Sequence, residues 1–214
     1  MEGIQAVIFD LDGLLIASED LWRETDIELL KRREIDYDIK IRSRIRGLGQ
    51  KEAIELYKKE FGVKGDIQTL IKERRAIFYS LAKNRLKLLS GAGKLTQELY
   101  NRGYSLAIAT GGHTKKKIQE ILTQFGLENY FLVLISSDEV ENGKPAPDVY
   151  LASATRLGVQ PLNCLVLEDA VNGVLAAKNA GMRVFGVNRD LGIRNLLKEA
   201  GAERVFKSLN EIRL

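Results

Sequence analysis

One cysteine, Cys164, occurs among the 214 residues. A single thiol cannot close an internal disulfide, so the fold must rest on packing rather than cross-links. Placed in the apolar run CLVLED (164–169), it reads as a small buried hydrophobe. No window approaches the ~18 uninterrupted apolar residues that a bilayer span requires. Nor does a basic region followed by an apolar run open the chain, as a signal peptide would. Low-complexity tracts and internal repeats are absent. Together these absences exclude a disulfide-framed secreted module and a membrane protein, and they lead us to expect a cytoplasmic monomer. There is no recognised nucleic-acid-binding motif and no interleaving of aromatic with basic residues, so nucleic acid is not an expected partner.

The net charge of +4 does not alter that reading, because it is local. Residues 15–86 hold 17 Lys/Arg and 13 Asp/Glu, and the remainder holds 16 of each. The same segment differs in texture from the rest. From residue 93 onward, short apolar runs alternate with amphipathic stretches. SLAIAT (105–110), FLVLISS (131–137), CLVLED (164–169) and RVFGV (183–187) read as strands. KKKIQEILTQFG, DVYLASATRLG and GVLAAKNAG read as helices, each closed by a glycine. Strands that are apolar throughout are those covered by helices on both faces. The rhythm therefore predicts an α/β fold with a doubly wound parallel sheet. AVIF (6–9) is its first strand, separated from the others by a long insert. The insert shows helical spacing at Trp22–Leu30, Ala53–Phe61 and Leu70–Leu81. IKIRSRIRG (39–47) fits both periods and is taken as helix. The expected division is an α/β core of residues 1–15 and 88–214 and a helical domain of residues 16–87.

In open α/β sheets, ligands bind beyond the carboxyl ends of the strands. Those ends carry Asp10 and Asp12, then Thr110 with Gly111 and Gly112, then Lys144 in NGKPAPD, then Glu168 and Asp169. Four carboxylates on one edge would not all stay ionised. A hard divalent cation with oxygen ligands resolves the repulsion, and Mg2+ is the expected one. With Asp10, Glu168 and Asp169 charged against Mg2+ and Lys144, the charges cancel. Asp12 is then free to hold a proton.

These positions resemble the haloacid dehalogenase superfamily of phosphotransferases, whose four motifs occur here in order. They are DLDG at 10–13, Thr110, Lys144 in GKPAPD, and EDAVNGVLAAKNAGM at 168–182. The resemblance implies that residues 16–87 are a helical cap of the family's first structural subclass. It implies that Asp10 attacks phosphorus to form an aspartyl-phosphate and that Asp12 is the acid and base, its backbone carbonyl also ligating the metal. Thr110 and the amide of Gly111 would hold phosphate oxygens, and Lys144 would offset charge on Asp10 and the phosphoryl group. Asp169 would bind the metal directly, with Glu168 binding through water. The implied substrate is a small phosphate ester, as in the family's hexose-phosphate phosphatases, which DGLLIASEDLW resembles. A β-phosphoglucomutase-like isomerase is the nearest alternative. Trp22 and Gln50 fall near the places where that group has histidine and arginine. A non-hydrolytic phosphoacceptor or binding module is the alternative from another class.

Some residues have plainer readings. Thr110 can also cap the following helix. His113, the single histidine, is expected as a solvated residue of a first helical turn. Asn172 and Gly173 are assigned to loop geometry. Arg42, Arg44, Arg46 and Lys51 make a solvated helix face, unless RGLG (46–49), Arg46 and Gly47 foremost, reaches a substrate.

Overall fold

Alternation within the first strand explains the layering of the protein, seen in a computed structural model that describes residues 3–214. In β1 (Ala6–Phe9), Val7 and Phe9 face one apolar cluster and Ala6 and Ile8 face another. Successive side chains of a strand point to opposite faces, so a strand apolar at every position is packed on both. β2 (Ser105–Thr110), β3 (Val133–Ser136), β4 (Cys164–Glu168), β5 (Arg183–Val187) and β6 (Arg204–Phe206) complete a parallel sheet of order β3-β2-β1-β4-β5-β6. β1 is central, paired through Phe9 with Ile108 of β2 and Leu167 of β4. That register brings Asp10, Thr110 and Glu168 out at one edge. Cys164 is buried in the sheet.

Helices α5 (Ala92–Asn101) and α6 (Lys115–Gln124) cover the face of Val7 and Phe9. α7 (Asp148–Leu157), α8 (Val171–Asn179) and α9 (Leu191–Glu199) cover the opposite face. Gly126 and Gly158, both at positive φ, end α6 and α7 where the sequence places stops. α5, α9 and β6 lie outside the elements that the sequence pattern predicts. β6 has only three residues at the sheet edge, one of them exposed, and offers no apolar run to read.

Between β1 and α5 lie α1 (Glu19–Lys31), α2 (Arg42–Ile45), α3 (Gln50–Phe61) and α4 (Ile67–Ala82). The ambiguous 39–47 stretch is helical, a 3₁₀ turn at Ile39–Ile41 leading into α2. Leu29, Leu30, Ile41, Ile45, Ile54, Tyr57, Leu70 and Ile71 form a separate apolar cluster among these helices. Asp66 caps α4 through the amide of Thr69, and Gly62 closes α3 in the left-handed conformation. The chain leaves and re-enters the sheet domain side by side. The Ala17 amide donates to the Lys87 carbonyl and the Leu89 amide to the Leu15 carbonyl. No helix among the described residues is long and apolar enough to cross a membrane.

Candidate active site

Lys144 is the electrostatic centre of the cleft. It is 1% exposed, and its Nζ donates at 2.7 Å to Asp10 Oδ1 and at 2.7 Å to Glu168 Oε1. A third bond goes to the Ala109 carbonyl at 3.2 Å. Burial opposes its charge, but the two carboxylates hold the ammonium well above the usual lysine range. Asp10 emerges directly after β1 and is 5% exposed. Burial pushes its carboxyl well up. Lys144 opposes that rise, while Glu168, Asp169 and Asp12 add to it.

Glu168 is held by four donors. Its Oε1 accepts from Lys144 and from the Tyr150 hydroxyl at 3.1 Å, and its Oε2 accepts from the amides of Asp169 at 2.7 Å and Ala170 at 2.8 Å. Both oxygens have donors within the protein, so Glu168 anchors Lys144 and the start of α8. The sequence placed it correctly at a strand end, but side-chain direction depends on partners from α7 and the backbone of α8. Gly173 belongs to this anchor and not to a loop, since a Cβ there would overlap the Glu168 carboxylate.

Asp12 is held by donors from both parts of the chain. Its Oδ1 accepts from Ser18 Oγ at 2.6 Å, Trp22 Nε1 at 2.9 Å and His113 Nε2 at 3.1 Å. Its Oδ2 accepts from Thr110 Oγ1 at 3.3 Å. Burial favours the neutral acid, but His113, Ser18 and Trp22 outweigh it and pull the carboxyl down to about 2. These donors favour the carboxylate form of Asp12.

His113 is another correction. It is fully buried, not solvated, with Nδ1 at 2.9 Å from the Tyr79 hydroxyl. Thr110 does not cap a helix. It ends β2, and α6 begins four residues after Gly111 with Thr114 as its cap. Gly111 and Gly112 follow Thr110, and neither could carry a side chain. A Cβ on Gly111 would strike the Leu48 carbonyl, and one on Gly112 would strike Asp12 and Trp22.

The insert closes over this edge. Arg46 Nη2 contacts Asp169 Oδ2, and Arg46 Nε lies 3.2 Å from Glu19 Oε2. Burial pushes the Asp169 carboxyl up to about 7, although Arg46 pulls the other way. Arg42 pairs with Glu19 and Arg44 with Glu60, so only Lys51 of the four basic residues lacks a described ion pair and lies exposed. Gly47 packs against Ala170 with positive φ, and Asn172 Nδ2 donates to the carbonyls of Arg44 and Arg46. Asn172, assigned beforehand to loop geometry, is instead a clasp from α8 to the insert. Gln50 Nε2 reaches the Gly112 carbonyl at 3.1 Å, and its Oε1 accepts from Arg74, itself paired with Asp26. The cavity enclosed by Asp10, Asp12, Arg46, Gly47, Thr110 and Gly111 holds about 50 Å³.

Among the described residues, no three His, Cys, Asp or Glu side chains converge as they lie to hold a metal. Arg46 covers Asp169, and the Glu168 oxygens accept from Lys144, Tyr150 and two backbone amides. The chemistry of the remaining donors still suits a hard cation. Asp10 and Asp169 are buried oxygen donors whose carboxyls are both pushed up, chiefly by burial and further by neighbouring carboxylates. With Arg46 withdrawn, the residues fit a Mg2+ ion.

The sequence matches the family described as haloacid dehalogenase-like hydrolase over residues 7–187. The chain belongs to the haloacid dehalogenase-like hydrolases. It is 32% identical over 209 residues to the phosphorylated carbohydrates phosphatase of Thermotoga maritima, across 95% of this chain and 94% of that protein. It is 34% identical over 186 residues to hexitol phosphatase B of Escherichia coli K12, across 84% of this chain and 82% of that one. The crystal structure of β-phosphoglucomutase from Clostridium difficile matches with a TM-score of 0.84 and 25% identity, covering 99% of this chain and 94% of that one. Within the haloacid dehalogenase-like hydrolases, this fold therefore serves both named phosphatases and a named mutase. In this member, Trp22 and Gln50 are tied to Asp12 and Gly112.

Proposed function

We propose that this chain is a Mg2+-dependent phosphomonoesterase for small phosphorylated metabolites, sugar phosphates among them, working through an aspartyl-phosphate on Asp10. The observation that carries the reading is Lys144, buried and bonded at once to Asp10 and Glu168. It orients one Asp10 oxygen and leaves the other to attack. Attack on phosphorus breaks the ester P–O bond and forms the acyl phosphate, splitting one hard displacement into two easier ones. Asp12 gives its proton to the leaving oxygen, then takes one from the water that attacks the intermediate. Phosphate is released and Asp10 is regenerated. The donors around Asp12 favour its carboxylate form, which suits the second step. An arriving phosphate dianion raises its carboxyl for the first. Thr110 and the amide of Gly111 hold the phosphoryl oxygens, and Lys144 offsets their charge. Asp10, the Asp12 carbonyl and Asp169 would hold Mg2+, which screens the carboxylate nucleophile from the phosphate it attacks.

Residues 16–87 act as the cap, swinging about the paired crossings near 14–18 and 86–92. A cavity of about 50 Å³ has room for only a few waters, each needing ~10–15 Å³ of such space. An ester enters only when the cap opens, and closure then excludes water. Arg46 and Gly47, in the loop laid across the site, meet the leaving group. One chain supplies the whole cleft, consistent with a monomer. A cytoplasmic setting is where phosphorylated metabolites are handled and a lone cysteine stays reduced. The mutase alternative is less favoured, because Trp22 and Gln50 offer neither histidine nor arginine at those places. The test is hydrolysis of p-nitrophenyl phosphate and a panel of sugar phosphates. Turnover that needs Mg2+ and stops in excess EDTA is expected, whereas turnover persisting in EDTA contradicts the proposal.

A further inference from the structure

His113 belongs to the sheet domain, yet its surroundings come largely from the insert. Trp22 and Phe78 stack at 4.0 Å between centroids, and the His113 ring packs on both, 5.6 Å from Trp22 and 5.2 Å from Phe78. The Tyr79 ring lies 5.8 Å away, and its hydroxyl meets Nδ1 at 2.9 Å. The imidazole thus plugs an aromatic socket built on α1 and α4. Its far nitrogen, Nε2, meets Asp12 Oδ1 at 3.1 Å. A carboxylate only accepts, so Nε2 carries the hydrogen of that bond. The bond made by one ring nitrogen sets which nitrogen is protonated. When the Tyr79 hydroxyl donates to Nδ1, the hydrogen is left on Nε2, aimed at Asp12. The remaining Oδ1 donors, Ser18 and Trp22, also lie on the insert side of the chain. Docking of the insert and orientation of this carboxylate are therefore one event.

We propose that His113 is a positioning residue that transmits the seating of the insert, through Tyr79 and the aromatic socket, to the orientation of Asp12. This rests on the reading of Asp12 as the acid and base. When the insert lifts, the socket and the Tyr79 hydroxyl leave together, and Asp12 loses Ser18, Trp22 and the ordered imidazole. The carboxylate is then placed for chemistry only when the cleft is closed. A shift of about 1 Å in a reacting group can cost on the order of 10²-fold in rate, which sets the expected size of the effect.

The test is a double-mutant cycle in the full chain with p-nitrophenyl phosphate and Mg2+. His113→Ala is expected to lower kcat by about 10²-fold while KM changes less than about threefold. His113→Gln, which keeps an amide donor near the Nε2 position, is expected to recover at least about tenfold of that loss. Tyr79→Phe, a hydroxyl deletion, is expected to lower kcat about fivefold alone and to add nothing in the His113→Ala background. Independent, multiplying losses would overturn the proposal, as would a His113→Gln protein no better than His113→Ala. A readout without turnover is the ¹⁵N spectrum of the imidazole, unambiguous because the chain has one histidine. Wild type is expected to show the hydrogen on Nε2, and Tyr79→Phe to keep it there while the unprotonated Nδ1 resonance moves, having lost its donor. Ring nitrogens unchanged in Tyr79→Phe would defeat the coupling. Failure of the wild type to hydrolyse the ester would strike the enzymatic reading instead, with the ring spectrum still deciding the role of Tyr79.

Discussion

On the proposed reading, Arg46 holds the place at Asp169 that Mg2+ would need, so the two would compete. The contact is largely desolvated, the side chains being 17% and 2% exposed. A hydrogen bond between charged groups contributes about 1.5–3 kcal/mol net. Each 1.4 kcal/mol is tenfold in affinity, so displacing the arginine should weaken Mg2+ binding about 10- to 100-fold. The lower end is the better expectation, because the freed guanidinium is partly exposed and keeps Glu19 at 3.2 Å. Arg46→Gln should therefore bind Mg2+ about tenfold more tightly in the absence of substrate. Calorimetric titration measures this directly, and fluorescence of Trp22, the sole tryptophan, follows it independently. A proton also competes. Burial pushes Asp169 up to about 7 even with Arg46 pulling it down, and the substitution lets it rise further. Apparent affinity then grows with pH through that range, so the comparison belongs at about pH 8.5, above most of that titration. Equal or weaker binding by Arg46→Gln there would refute the idea that arginine and metal share the site.

Three further outcomes follow from the buried anchor and the sheet. Lys144→Ala strands Asp10 and Glu168 without their cation and should cost about 3–5 kcal/mol in urea unfolding; a loss under about 1 kcal/mol would show that the carboxylates relax freely. Gly173→Ala should destabilise by about 1–3 kcal/mol through overlap with Glu168, although alanine is the better helix former by about 1 kcal/mol; a stabilised variant would contradict the packing. Burial pushes the Cys164 thiol up to about 11, so at pH 8 it should ignore Ellman's reagent until denaturant is added, and rapid labelling of native protein would contradict its place in β4.

Much of the edge was legible because its logic is local. A strand apolar at every position must be covered on both faces, and the first polar residue after it marks the carboxyl edge. That reasoning located Asp10, Thr110 and Glu168, which the register of β1 with β2 and β4 brings to one edge. What resisted reading was direction and partnership. Nothing near Glu168 in sequence tells that Tyr150 and two amides take its oxygens. His113 looked solvated because its socket comes from Trp22, Phe78 and Tyr79, on helices whose docking no periodicity encodes. The basic stretch at 42–46 looked like a solvated face for the same reason, since Glu19 and Asp169 are distant in sequence. β6 escaped because three residues at a sheet edge leave no pattern.

The most direct test of the central claim is to quench a reaction with p-nitrophenyl phosphate and Mg2+ in acid and to map the protein by mass spectrometry. A phosphoryl adduct on the peptide containing Asp10, absent together with turnover in Asp10→Asn, is the predicted result. An adduct on any other residue, or an Asp10→Asn protein that turns over at the wild-type rate, would contradict it.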